Sequence, residues 1–185
     1  GTTGVTLFSG IPFQFSGVPL DNTGTVDVQS GTISYRGGSV FRSGTAFRGA
    51  GTNLLASGGV TLDGLILSEN LELGGARVFG TNTITGTMRW TGGAIGSGAI
   101  FTVATNGTLN IQDPRSADRT VYGFLNNDWR VIWSGTNNIG MFDGQIHNQR
   151  EGIFEIQNDQ AIVGLHGPPL FTNAGLLRKV GGRCG

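Results

Sequence analysis

Charged residues are scarce in this 185-residue chain, since Asp, Glu, Lys and Arg make up 13% of it against roughly a quarter in typical soluble domains. Twelve basic residues balance twelve acidic ones, so no long-range field attracts nucleic acid or an anionic membrane surface. The single cysteine, Cys184, excludes an internal disulfide. No apolar run approaches the roughly 18 residues of a membrane-spanning helix, so we expect no membrane insertion.

Glycine is the abundant residue, at 34 of 185 positions, which is about 18% against a typical value of about 7%. A disordered chain would explain so much glycine, but 11 Phe, 3 Trp and a hydrophobic share of 37% favour a packed core. Long helices are disfavoured because no apolar series of helical period is present and each glycine costs a helix up to about 1 kcal/mol. The composition therefore indicates short strands joined by many tight turns.

A turn residue followed by a short alternating strand recurs every 20 to 25 residues. The copies begin at Gly24, Gly44, Gly64, Gly86, Gly107, Asn127, Gly152 and Gly175. Each period holds two further strand-like pieces, such as NLL at Leu54 and Leu55 and GVTL ending at Leu62. A short strand cannot bury its apolar face alone, so such a period indicates stacked units. The sequence predicts an all-β parallel β-solenoid of about eight coils with three short strands each, in a single domain over 1–185.

Alternation along each repeated strand predicts which side chains face the core. Positions two and four residues after the turn residue should point inward: Val26, Val28, Met88, Trp90, Leu109, Ile111, Trp129, Val131, Phe154 and Ile156. Trp133 follows the same phase as Trp129, so we expect both tryptophans in the core. The second coil departs from the pattern because Phe47 takes the outward phase, which predicts a bulge or a register shift there and an exposed Phe47.

Two columns of outward residues are predicted on the surface of the solenoid. Arg130, Glu155 and Arg178 alternate in charge and should form a surface ladder, worth about 0 to 1 kcal/mol per exposed pair. That ladder would fix the strand register and would have no catalytic role. Threonines form the second, partial column, which Leu65 interrupts, and no repeated Thr-x-Thr array supports an ice-binding surface. These threonines are Thr25, Thr45, Thr87 and Thr108.

One segment offers an alternative site of carboxylates and arginines. DPRSADR contains Asp113, Arg115, Asp118 and Arg119 in an irregular stretch between strands. Polysaccharide lyases and hydrolases need clustered carboxylates for proton transfer or calcium binding. A solvated loop with two internal charge pairs explains the same residues, and we favour that interpretation. His147 and His166 lack metal-ligand spacing, so we predict no catalytic, cofactor-binding or metal site and no cofactor.

The stretch from Gly86 to Gly182 resembles the repeats of very large secreted bacterial surface proteins. The phrases WSGTNNI, FEIQND and FTNAGLLRKVGG carry the resemblance, which is to adhesin-like and autotransporter-passenger-like β-helix repeats. It implies a right-handed parallel β-helix exported to the cell surface, which works through its length, its rigidity and its exposed faces. It implies no catalytic residue.

We therefore expect an extracellular or cell-surface structural and adhesive module that is not an enzyme. Neither end shows a helix or charged segment that would cap a solenoid, and unpaired strand edges invite other chains. The expected partners are copies of itself or neighbouring solenoid segments end to end, in a filament or a longer parent solenoid, with surface glycans as further ligands. The alternative is a carbohydrate-active β-helix enzyme of the polysaccharide lyase or hydrolase type.

Overall fold

The computed structural model describes residues 13–113 and 119–181, and these form twenty β-strands and no helix. Every strand pairing among them is parallel. The strands are β1 Phe13–Ser16, β2 Asp21–Asn22, β3 Thr25–Asp27, β4 Thr32–Arg36, β5 Val40–Phe41, β6 Ala46–Arg48, β7 Thr52–Ser57, β8 Gly59–Leu62, β9 Gly64–Phe79, β10 Thr81–Ile95, β11 Ile100–Ile111, β12 Arg119–Val121, β13 Phe124–Asn127, β14 Arg130–Trp133, β15 Ile139–Phe142, β16 Gln145–Asn148, β17 Ile153–Ile156, β18 Ile162–His166, β19 Leu170–Asn173 and β20 Leu176–Lys179.

The pairings arrange these strands on three faces. Face 1 holds β1, β4, β7, the middle parts of β9 and β10, the end of β11, β14, β17 and β20. Face 2 holds β2, β5, β8, the ends of β9 and β10, β12, β15 and β18. Face 3 holds β3, β6, the starts of β9, β10 and β11, β13, β16 and β19. The chain visits the faces in this order once per coil, which confirms the predicted solenoid of about eight three-stranded coils.

The core is a set of inward columns in which each side chain lies directly above its counterpart in the preceding coil. On face 1, one column runs through Met88, Leu109, Val131 and Phe154, and each of these residues is at most 2% exposed. A neighbouring column runs through Trp90, Ile111 and Trp133, which are equally buried. Alternation therefore predicted these core residues correctly.

Trp129 does not lie in the core, contrary to the prediction, and is 42% exposed. The residue that takes its expected place is Val131, which pairs with Leu109, while Trp133 pairs with Ile111. Trp129 precedes β14 and sits at the corner beside Asp128, where strand alternation does not apply. The repeat around Asn127 begins two residues later than the sequence pattern suggested.

Phe47 is also opposite to its prediction, because it is fully buried. It pairs with Val26 on one side and with Ser68 on the other, so Thr45 rather than Gly44 matches Gly24 in the repeat. The irregularity of this coil is therefore a register shift of one residue, one of the two possibilities that the sequence left open, and not a bulge. Thr45, which we expected on the outer surface, is buried for the same reason.

The glycine-led motif marks two different faces along the chain. The strands that follow Gly24, Gly44 and Gly64 belong to face 3, whereas those that follow Gly86, Gly107, Gly152 and Gly175 belong to face 1. The cause is a change in coil length. Successive residues of the face 1 column at Phe13, Ile33, Asn53, Leu71, Met88, Leu109, Val131, Phe154 and Leu177 are separated by 20, 20, 18, 17, 21, 22, 23 and 23 residues.

An asparagine ladder replaces apolar side chains in the last three coils of face 3. Asn127 donates from Nδ2 to Oδ1 of Asn148 at 2.7 Å, and Asn148 donates in the same way to Asn173 at 2.7 Å. The same amides also donate to backbone carbonyls at the corner, at 3.0 Å to Ile153 and 3.1 Å to Leu176. The ladder thus satisfies buried polar groups and ties the face 3 strands to the corner that leads to face 1.

We expect Asn148→Ala to destabilise the fold by about 1–3 kcal/mol, because it removes the acceptor of Asn127 and leaves buried carbonyls without donors. The measurement is the free energy of unfolding from urea titration followed by circular dichroism. The matched control is Asn126→Ala, on the outer surface of the neighbouring strand, which should change stability by less than about 0.5 kcal/mol. Equal unfolding midpoints for the two variants would contradict a stabilising ladder.

Candidate functional site

Glu155 lies at the centre of a cluster of charged side chains on the outer surface of face 1. Its Oε2 accepts hydrogen bonds from Nη2 of Arg178 at 2.5 Å and from Nη2 of Arg130 at 3.3 Å. Gln157 donates to its other oxygen. The two guanidinium groups cover the carboxylate, so the Glu155 side chain is only 5% exposed. The structure thus brings together the three residues that we expected in a surface ladder.

Only Glu155 and Arg178 share the column that we expected for all three. Arg178 lies directly opposite Glu155 on the next strand, whereas Ile132 lies opposite it on the preceding one. Arg130 pairs with Ile153 and reaches Glu155 diagonally from the adjacent outward column. The same late start of β14 that exposes Trp129 causes this offset.

The charge environment of Glu155 keeps its carboxylate ionised. The hydrogen bond from Arg178, then that from Gln157, lowers its pKa below the ordinary value. A general acid near neutral pH needs the opposite shift, because its pKa must lie close to the working pH. Glu155 is therefore suited to holding two arginines on neighbouring coils and not to donating a proton.

A second ion pair occupies the same face nearer the N-terminus. Arg89 donates from Nη2 to Oε2 of Glu72 at 2.9 Å, and Thr91 donates to Oε1 at 2.8 Å. Glu72 is the third carboxylate of a coil that also carries Asp63 and Glu69, and sequence alone gives this set no neighbouring arginine. Asp63 and Glu69 are exposed near face 3, so the three carboxylates do not converge.

Asp113 and Arg119, two residues of the alternative site, form a buried ion pair. Arg119 also donates to the backbone carbonyls of Gln112 at 2.6 Å and Trp90 at 3.3 Å, and burial lowers its pKa. Asp113 accepts from the backbone N–H of Asn137 at 3.0 Å. These contacts join three coils, and Asp113 also lines a surface cavity of about 370 Å³ together with Gln112, Ser134, Gly135 and Thr136. Arg115 and Asp118 lie outside the described residues.

The two histidines lie on different faces and do not approach each other. His147, on face 3, contacts Oγ1 of Thr172 through Nδ1 at 2.7 Å, and its ring stacks on Phe124. His166, on face 2, lies 3.4 Å from a carboxylate oxygen of Asp143. Within 13–113 and 119–181, no group of three His, Cys, Asp or Glu side chains is placed to hold a metal ion.

The outward aromatic side chains of face 2 stack on one another. The rings of Tyr122 and Phe142 are 5.2 Å apart at an angle of 17°, and the guanidinium carbon of Arg77 lies 4.5 Å from the centre of the Tyr122 ring. Both faces of Tyr122 are therefore occupied within the protein. This stack stabilises the surface of face 2 and does not offer the row of open rings that sugar stacking needs.

The C-terminal coil leaves the core open in the described part of the chain. Its strands β18, β19 and β20 pair only with the preceding coil. A cavity of about 300 Å³ lies at this end, lined by Met141, Ile156, Ile162, Gly164, Pro169, Phe171 and Leu177. Leu177 continues the buried column of Phe154 yet is 44% exposed, because no further coil covers it.

Comparison of the chain with models of known protein families, with curated protein sequences and with solved structures finds no match. The solenoid fold therefore rests on the strand register described above. The resemblance to bacterial surface repeats, and the right-handed coiling that it implies, stay predictions. Among the described residues, no helix is long and apolar enough to cross a membrane.

We expect Glu155→Gln to destabilise the fold at pH 7 by about 1 kcal/mol, since it removes the negative charge with which both Arg130 and Arg178 form ion pairs. A lowered pKa gives stability that is present above the ordinary value of 4.5 and is lost as the pH falls through the folded-state value. The difference from the unaltered chain should therefore shrink below pH 4.5 in urea unfolding. Glu151→Gln, at the exposed corner before β17, is the control. A difference that persists unchanged in acid would contradict this account.

Proposed function

We propose that this chain is a structural and adhesive β-solenoid module on the outside of a bacterial cell, and that its open C-terminal end joins another coil so that modules line up end to end. The observation that carries the proposal is the exposed end of the core at Leu177, Phe171 and Ile162. These inward positions have the chemistry of a core but lack the next coil. A copy of this chain or a neighbouring solenoid segment would supply it.

Two physical terms favour such end-to-end contact. The unpaired edges of β18, β19 and β20 present backbone donors and acceptors in the same geometry that joins every other coil. Completing the burial of an apolar side chain contributes up to about 1.5–3 kcal/mol when it was fully exposed, and Leu177 is nearly half exposed. An added coil would form these hydrogen bonds and bury Leu177 without a change in the strand register of this chain.

The location outside a bacterial cell rests on the resemblance of residues 86–182 to secreted surface repeats. A formal net charge of zero fits a partner that is neither nucleic acid nor an anionic membrane. Surface glycans remain further candidate ligands of the adhesive role.

A role without catalysis is part of this proposal, and the placement of the carboxylates supports it. Glu72 and Glu155 lie in the same column but four coils apart, which is about 19 Å at the usual strand spacing. Paired carboxylates in glycoside hydrolysis stand about 5–9.5 Å apart. Each of the two also holds an arginine. A polysaccharide-degrading activity would need a different group of residues.

We expect the chain to form rods of several modules that lengthen with concentration, and Leu177→Asp to abolish rods longer than one module because it places a charge on the apolar end. Trp129→Asp is the matched control, since Trp129 is 42% exposed at a corner on the side of the solenoid, away from the terminal coil. Analytical ultracentrifugation would measure the mass, and negative-stain electron microscopy would show rods in multiples of about 40 Å, the length of eight coils.

Two results would contradict end-to-end joining. One is a chain that sediments with the same mass across the concentration range and shows no rods. The other is rod lengthening that Leu177→Asp leaves intact, which would move the end-to-end contact to other residues.

A further inference from the structure

The outward strand residues of face 3 carry no charge over six consecutive coils, from residues 64–68 of β9 to β19. The exposed carboxylates of Asp63 and Glu69 flank this surface at the two corners of its first coil. The outward residues are threonine, amide, histidine or apolar side chains: Leu65, Leu67, Thr81, Thr83, Thr85, Ile100, Thr102, Phe124, Asn126, Gln145, His147, Leu170 and Thr172. Face 1, by contrast, places Glu72, Arg89, Glu155 and Arg178 in one outward column. We name this uncharged surface the neutral face.

Large apolar side chains on the neutral face remain open to solvent. Leu65 is 43% exposed, Leu67 39%, Phe124 37% and Leu170 46%. Leu65, Leu67 and Phe124 lie on the flank of the solenoid away from its open end, so end-to-end joining would leave them uncovered, whereas Leu170 points outward from the terminal coil itself. Apolar surface of this kind on a flat, uncharged sheet is typical of an interaction surface.

The order of apolar and polar coils on the neutral face reads the same in both directions. The coils of β9, β11, β13 and β19 carry the outward apolar residues Leu65 with Leu67, Ile100, Phe124 and Leu170. Those of β10 and β16 carry only polar residues there, namely Thr81, Thr83, Thr85, Gln145 and His147. Along the six coils the order is apolar, polar, apolar, apolar, polar, apolar. A surface with this symmetry is complementary to its own copy turned end for end.

We propose that the neutral face pairs with the neutral face of a second copy, in an antiparallel dimer whose two-fold axis lies between the sheets and parallel to the strands. This arrangement sets β11 against β13, β10 against β16 and β9 against β19 of the other molecule. Such an isologous contact is closed, because the same patch is used by both copies.

Opposed residues match in chemistry at the four central coils. Ile100 meets Phe124 of the second copy, and Thr102 meets Asn126. One coil further out, Thr81 meets Gln145 and Thr83 meets His147. At the two central coils an apolar residue therefore covers an apolar residue, and over all four coils hydroxyl and amide groups meet partners that can donate or accept. At the two outer coils the leucines do not meet each other, because Leu65 comes opposite Thr172 and Leu170 comes level with Asp63.

The dimensions of the neutral face fit a weak and reversible dimer. Six coils span about 29 Å, and four to five strand residues span about 15 Å, which gives roughly 430 Å² of flat area per copy. Two copies thus bury about 900 Å², close to the lower limit of specific interfaces. Burial of Phe124 against Ile100 of the second copy, on both sides of the two-fold axis, supplies most of the favourable free energy.

A second solenoid fits this surface better than an added peptide strand. From β9 to β16 every strand of face 3 is already paired on both sides, so an incoming chain meets side chains and finds no free backbone edge. Two sheets packed through their side chains, about 10 Å apart, satisfy this geometry.

The first test measures self-association in the Leu177→Asp background, where end-to-end joining is blocked. We expect a monomer–dimer equilibrium in sedimentation, and a rise of at least tenfold in the dissociation constant on Thr102→Lys, because it places a charge near the two-fold axis. Thr120→Lys is the matched control, since Thr120 is a half-buried outward threonine of face 2. Asn126→Lys serves as a second variant, and circular dichroism verifies that each variant folds.

The second test determines the register. Thr81→Cys with Gln145→Cys, in a chain that also carries Cys184→Ser, should yield a covalent dimer with a bismaleimide linker. The linker is chosen shorter than three coils, about 14 Å, so that neither single cysteine variant reaches its own copy. A covalent dimer from the double variant alone supports the antiparallel pairing.

Three results would overturn the proposal. A Leu177→Asp chain that stays monomeric at every concentration removes lateral pairing and leaves end-to-end joining standing. Dimers that persist in Thr102→Lys and Asn126→Lys place the contact elsewhere. Co-sedimentation of the monomeric Leu177→Asp chain with an insoluble neutral polysaccharide would assign the neutral face to a glycan instead.

Discussion

Stacking of side chains across a single strand spacing is the constraint on which this molecule depends. In a column such as Met88, Leu109, Val131 and Phe154, each side chain is packed against the residues one coil before and one coil after it. The burial of each residue therefore depends on its neighbouring coils. The contribution of each coil is therefore inseparable from that of the next, as in other linear repeat proteins. The same dependence produces the Asn127–Asn148–Asn173 ladder, where a polar side chain is tolerated inside because its counterparts one coil away supply the hydrogen bonds.

The architecture could be predicted from the sequence because a period of this size and strict alternation are both visible without a structure. The phase could not, because the turns vary in length. Phe47 and Trp129 show the difficulty. The register is shifted by one residue at Phe47, which exchanges inside and outside, and by two residues at Trp129, which places that side chain at the corner before the strand. The move of the glycine-led motif from face 3 to face 1 between Gly64 and Gly86 has the same origin, in coils of 17 and 18 residues.

On the surface, the sequence predicted contacts between residues at equivalent positions of neighbouring repeats. It did not predict contacts that depend on how several coils are aligned. Glu155 and Arg178 were predictable from their equivalent positions, and Arg130 was found although its register was displaced. The partner of Glu72 was not predicted, because Arg89 lies opposite it only once the short coils are aligned. The neutral face was missed for the same reason. The TNTIT stretch at 81–85 was its one local signal, and the absence of charge becomes visible only when outward residues of six coils are placed side by side.

The corner between faces 1 and 2 differs from the other parts of the coil in how freely its length changes. No residues intervene there within β9 and β10, whereas seven separate β11 from β12 and five separate β14 from β15, yet the rungs on either side stay aligned. Closing a longer loop costs little, about 0.6 kcal/mol for each doubling of its length. The loops at this corner can therefore lengthen or change in sequence while the strand register stays the same. In a protein that meets a host or a competitor, this is the edge along which recognition and escape from recognition can evolve.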